Sequence, residues 1–128
     1  MSGIFLLSQT TMSKEQQHNP MMKKADQFAH DVYCLTRKFP KEEMYGMISQ
    51  LRRASLSVIL NIIEGFARRE NNEFRRFLYF SFGSLKESRY LISFAKDQKY
   101  ITSEECEKID ALGDEVAKLV WTVIKKHC

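Results

Sequence analysis

Residues 50–69, QLRRASLSVILNIIEGFARR, constrain the fold more than any other stretch of the chain. Projected on a helix at about 100° per residue, Gln50, Arg53, Ser57, Asn61, Glu64 and Arg68 fall within about 40° of one line. Opposite this polar ribbon lie Ile48, Leu51, Ser55, Val58, Ile62 and Phe66, a stripe wide enough to serve one bundle core. On the other flank Leu56, Leu60, Ile63 and Ala67 form a second apolar edge. A surface helix of a monomer needs only one apolar face. The second edge therefore predicts contact with another copy of the chain.

The neighbouring sequence continues the helical pattern. A first helix is expected over about Met22 to Lys38, because Ala25, Phe28, Ala29, Val32, Leu35 and Thr36 recur at three- and four-residue steps. Phe39-Pro40 ends it, since proline disfavours helical geometry in the residue before it. A second helix is expected from about Lys41 through the central stretch to Ala67, with Glu42 and Glu43 at its positive end. Arg68 to Asn72 is a polar turn in which either asparagine can cap a third helix, about Asn72 to Gln98. That helix has the stripe Phe74, Phe77, Leu78, Ser81, Leu85, Ser88, Ile92 and Ala95. Thr102 followed by Glu105 is a capping box opening a fourth helix that runs to about Lys126. With 2 Pro and 5 Gly in 128 residues, the sequence predicts an all-α, antiparallel up-down-up-down four-helix bundle over residues 21–128. Residues 1–20 show no sustained period and are expected to form a disordered leader. Its Ile4-Phe5-Leu6-Leu7 run is able to dock on a neighbouring subunit.

Charge is unevenly placed. The net charge is +4, and residues 52–89 hold eight Lys/Arg against four Asp/Glu, while the rest of the chain balances. A basic patch attracts phosphates in a salt-dependent, non-specific way. The three cysteines, Cys34, Cys106 and Cys128, are widely separated and never form a C-x-x-C pair, which suits a reducing cytoplasm better than a disulfide framework. No apolar run reaches the length of a spanning helix, so no membrane partner is expected.

Several motifs in order then resemble one family. Phe39-Pro40 with Glu43, Tyr45 and Gly46, then Gln50-Leu51-Arg52-Arg53-Ala54-Ser55 with Ser57, then Asn61-Ile62 with Glu64-Gly65, and finally Phe77 with Gly83-Ser84 and Glu87 make the chain similar to a bacterial four-helix-bundle family. It is named for proteins encoded in intervening sequences of large-subunit ribosomal RNA genes. The resemblance covers about residues 22–126. That family is similar to the accessory variability determinant of diversity-generating retroelements, a basic pentameric barrel working with nucleic acid and a reverse transcriptase. The resemblance implies a homopentamer with a nucleic-acid connection and no established catalysis. Where members often carry proline and a small residue before the asparagine and alanine after it, this chain has Ile59, Leu60 and Ile63, which implies a straighter and bulkier second helix.

Candidate chemistry is sparse. Arg53, Asn61, Glu64, Glu87 and Arg76 could be read as an acid–base site. The simpler reading is a structural polar network of Gln50, Ser57, Asn61, Glu64 and Glu87 that fixes helix register, since an unpaired buried charge is strongly destabilising. Asp26, His30 and Cys34 stand four apart on one helix, but about 12 Å of rise separates the ends, too far for one metal ion. No phosphate loop, nucleophile elbow or H-E-x-x-H motif is present, so neither an enzyme activity nor a cofactor or metal is expected. On the third helix Arg75, Tyr79, Phe82, Lys86 and Arg89 project from the core stripe, a mixture able to stack bases and meet phosphates. Tyr79 and Phe82 suit burial in a subunit interface equally well, beside Leu56, Leu60, Ile63 and Ala67. The expected nucleic-acid contacts are Arg53, Arg68, Arg69, Arg75, Arg76, Lys86 and Arg89. The expected function is thus a non-catalytic, pentameric scaffold binding RNA or DNA, with a nucleic-acid-processing protein as a further partner. The alternative is an interaction module that binds no nucleic acid.

Overall fold

The computed structural model describes residues 18–68 and 70–127. Four helices account for the bundle: α1 (Pro20–Thr36), α2 (Ser49–Arg68), α3 (Asn71–Asp97) and α4 (Ser103–Lys126). Each packs on its neighbours in sequence, and α1 closes the square against α4. This is the up-down-up-down arrangement. Positions 1–17 of the expected leader lie outside the described residues.

Local chemistry sets the helix ends. Asn19 Oδ1 accepts the Met22 backbone N–H at 3.1 Å, and Pro20 stands in the first turn, where its missing N–H has no intrahelical partner to lose. Pro20 therefore opens α1 instead of closing the leader. Met22, Ala25, Phe28, Ala29 and Val32 face the core. The helix stops at Thr36, two residues short of the expected Lys38, because the N–H groups of Arg37, Lys38 and Phe39 turn back to Cys34, Leu35 and Thr36. Such i−3 bonds tighten the chain into a turn. At the start of α4 the capping box is present as expected, with Thr102 Oγ1 accepting the Glu105 N–H and Glu105 accepting the Thr102 N–H.

Two expectations need correction. The second helix does not run unbroken from Lys41. A 3₁₀ turn (Lys41–Glu43) and a π-helical turn (Met44–Ile48) precede α2, and Gly46 leaves helical geometry at φ −112°, ψ −110°. The cause is Glu43, whose side chain folds back to accept the Met47 N–H at 3.2 Å. A Cβ at Gly46 would sit 2.7 Å from that carboxylate. The second oxygen of Glu43 accepts the Tyr100 hydroxyl at 2.7 Å, and the Tyr100 ring lies 5.5 Å from Phe39. The bend is thus tied to the turn between α3 and α4. The second correction concerns the α3 cap: Asn71 and Asn72 lie inside the first turn, and Glu70 takes the cap position without a side-chain bond.

The most extensive helix contact is that of α2 with α3. Small residues allow it: Ser55, Ser81 and Ser88 are buried among Leu51, Val58, Ile62, Leu78, Leu85 and Ile92. Ser81 Oγ donates to the Val58 carbonyl at 2.7 Å, so its hydroxyl is satisfied across the interface. At Gly65 an added Cβ would meet Phe74 Cδ1 at 3.2 Å, and Gly113 brings α4 similarly close to Phe28.

Two outcomes follow. Phe28→Ala, which empties a fully buried site, should destabilise the fold by about 3–5 kcal/mol, read from chemical denaturation. The hydrogen bond to Glu43, aided by burial and by nearby carboxylates, pushes the Tyr100 hydroxyl above its ordinary 10.0. A raised folded-state value means the contribution is complete below 10.0 and lost as pH climbs through the raised value. Thermal melts on either side of pH 10 should show the wild type losing stability faster than Tyr100→Phe.

Candidate functional site

The polar ribbon of α2 lies along α3 and is occupied by it. Arg53 Nη2 pairs with Glu87 Oε2 at 2.8 Å. Ser84 donates to Ser57 Oγ at 2.9 Å, and Asn61 Nδ2 donates to the same hydroxyl and to the Ser57 carbonyl. One turn further, Glu64 pairs with Arg68 at 2.8 Å. Gln50 remains exposed outside this chain of bonds. Arg76, considered above beside Glu87, pairs with Glu73 instead. These groups satisfy one another on the outer edge of the helix pair. Glu87 and Glu64 each face an arginine.

At the second turn the cations are less committed. Arg68 lies over the Phe77 ring at 5.5 Å and Arg76 over Phe80 at 5.4 Å, so both guanidinium groups rest on exposed or half-exposed aromatic surface. Arg75 Nη1 donates to the His127 carbonyl at 3.3 Å. Arg69 lies outside the described residues. The last turn of α4 adds Lys125 and Lys126 at the same end of the bundle.

The α3/α4 wall divides into two parts. Toward the second turn, Tyr79 and Phe82 close on Trp121, with ring centres 6.4 and 5.5 Å away, and Lys86 Nζ stands 5.2 Å above Phe82. Tyr79 and Trp121 stay 46 % and 43 % exposed. Further along, Arg89 is spent internally: it binds Asp110 through both oxygens, at 2.8 and 3.0 Å, and reaches Asp114 at 3.5 Å. The Asp110 bond holds the Arg89 guanidinium more firmly protonated, and Lys118 with Arg89 lowers the Asp114 carboxyl below its ordinary value. Arg89 thus cross-braces α3 and α4 through two carboxylates.

On the opposite wall, Leu56 and Leu60 are 37 % and 58 % exposed. Ile63 is half-buried against the core and Ala67 is exposed. Beside Leu56 an open hollow of about 310 Å³ runs between α1 and α2, with His30, Tyr33 and Ile59 in its lining. Arg52 braces this side by donating to Thr36 Oγ1 at 2.8 Å while lying 4.6 Å over the Tyr33 ring.

Sequence reasoning missed Trp121, and it also missed an outward stripe on α3. Phe80, Tyr90 and Phe94 are exposed at 46, 66 and 39 %, on one line with Arg76, Gly83 and Glu87. The signal was there as an i, i+4, i+7 repeat. Asp26 and His30 make an exposed pair at 3.5 Å. Among the described residues no group of three His, Cys, Asp or Glu could hold a metal.

Four antiparallel helices whose polar groups close on one another, with apolar walls and a cationic end left over, define the class as an all-α four-helix bundle. The chain is a member of the 23S rRNA-intervening sequence protein family, whose model matches residues 17–122. It is also similar to a solved protein of unknown function from the S23 ribosomal protein family of Bacteroides thetaiotaomicron, at 25 % identity and a TM-score of 0.77, covering 82 % of this chain and 95 % of that one. No curated protein matches it. No helix among the described residues is long and apolar enough to cross a membrane.

The brace gives a direct test. A double-mutant cycle on Arg89→Ala and Asp110→Ala should return a coupling on the order of 1 kcal/mol by urea denaturation. Because the Asp114 carboxyl is lowered from 3.8, its share is present above that value and lost as pH falls through the lowered one.

Proposed function

We propose that the chain is a non-catalytic scaffold that joins copies of itself head to tail into a ring, and that the ring binds RNA or DNA through the cations of the second turn. The observation that carries this reading is that apolar surface is left on two opposite walls. Leu56 lines the α1/α2 hollow with Leu60 exposed one turn further on, and Tyr79 and Trp121 are exposed on α3/α4 beside the half-buried Phe82. A patch that pairs with a different patch on the next copy closes into a ring when the rotation permits. Aromatic residues are favoured anchors at such interfaces, and Trp121 or Tyr79 suits a hollow of about 310 Å³. Five copies is the number implied by the resemblance to pentameric barrels.

Ring closure would bring every copy's second turn to one rim. Arg68, Arg69, Arg75 and Arg76, repeated by rotation, then make a concentrated positive band, which is how a monomer charge of only +4 gains phosphate affinity. Arg53 and Lys86 lie outside this band, paired with Glu87 or resting on Phe82. The family name, with its reference to ribosomal RNA, supports nucleic acid as the ligand. The rival, an interaction module without nucleic acid, draws on the same ion pairs: Arg53, Arg68, Arg76 and Arg89 each have a carboxylate.

Filter binding of single-stranded and duplex oligonucleotides at rising salt separates the two. The scaffold reading expects affinity that falls steeply with salt and a shallower slope in Arg75→Glu, because fewer counterions are released. A folded protein that binds neither nucleic acid at low salt supports the rival. Leu60→Asp should break the ring into smaller species by sedimentation while leaving the helical circular dichroism intact.

A further inference from the structure

We propose that the hollow at the second-turn end of the bundle is a slot for one unpaired nucleobase, taken from a single strand whose phosphates lie on the surrounding cations. This rests on the nucleic-acid reading above and adds to it the form of the ligand and where its base goes.

All four helices shape the slot, an open cavity of about 360 Å³. One side of it is a cluster of rings in contact: Phe66 and Phe74 have centres 5.2 Å apart at 44°, and the His127 imidazole meets Phe74 edge-on at 4.9 Å. Gly65 permits this crowding, since any side chain there would press on Phe74. Phe74 is only 8 % exposed, so the inner wall is fixed by the core while the mouth stays open. Flat aromatic surface of this kind binds any base by its π-face, and only an unpaired base can offer one.

The edges of the slot are polar. Asn19 and Asn71 line it. Asn19 spends its carbonyl oxygen on the Met22 N–H, which leaves the amide NH₂ to donate. Amides of this kind read the hydrogen-bonding edges of splayed-out bases.

The rim is cationic. Arg75 is held there by its bond to the His127 carbonyl, and among the described residues it has no carboxylate partner. Lys126 ends α4 beside His127, and the nearby Glu73 is already taken by Arg76. An apolar peptide would need no such rim. A phosphodiester strand would use both the rim and the slot.

The test uses the full chain and a short single strand carrying one 2-aminopurine, compared with the same strand bearing an abasic site at that position. The slot predicts quenching of 2-aminopurine on binding and about a tenfold or greater loss of affinity for the abasic strand, in line with the stacking of a single base. Asn71→Trp, which fills the slot from an exposed position, should remove the quenching while the salt dependence persists. Binding with unchanged 2-aminopurine fluorescence and equal affinity for the abasic strand overturns the slot and leaves the nucleic-acid reading standing. An absence of binding by the folded protein at low salt overturns both.

Discussion

The packing of α2 on α3 is the contact on which the rest of the molecule depends. Ser55, Ser81 and Gly65 let the two backbones approach, and the Ser81 bond to the Val58 carbonyl holds their register. Next to that buried seam runs a second, polar one, in which Arg53, Ser57, Ser84, Asn61 and Glu87 satisfy each other. Both sides of α2 that face α3 are thereby consumed. What remains is the apolar edge at Leu56 and Leu60, and hydrocarbon in water is a standing incentive to associate.

The same bookkeeping separates cations that brace the fold from cations available to a ligand. Arg89 and Arg53 span helix pairs, and Arg52 spans another through Thr36 and the Tyr33 ring. These positions lie along the bundle walls. Toward the second turn the pattern changes: among the described residues Arg75 answers a carbonyl and no carboxylate, while Arg68 and Arg76 rest on rings as well as carboxylates. Cations on aromatic surface keep their charge accessible, and a symmetric assembly would gather them on one side. Function on this account arises at the end of the bundle, and assembly arises on its flanks.

Much of the architecture was legible because it is local. The core stripes of α2 and α3 follow the 3.6-residue period, and Thr102 with Glu105 announces its helix by a capping pattern contained in four residues. The break at Gly46 was not legible. Glu43 bonds Met47 from close by, but its other oxygen is held by Tyr100, a partner far away in sequence. The cap at Glu70 was missed because two adjacent asparagines offered a better local candidate than the one the packed turn selects. For the candidate site, the cations and the rings on α3 could be named, but their partners could not. Arg89 looked like its neighbours until α4 placed Asp110 and Asp114 beside it. Trp121 went unread because its role is set by α3, through Tyr79 and Phe82.

The central claim is that one bundle leaves too much hydrocarbon uncovered to persist alone. Multi-angle light scattering of the purified wild-type chain tests it most directly. The account predicts a single species of about five times the 15.1 kDa chain mass, stable on dilution. A well-folded species of one chain mass, with Leu60 and Trp121 facing water, would contradict it.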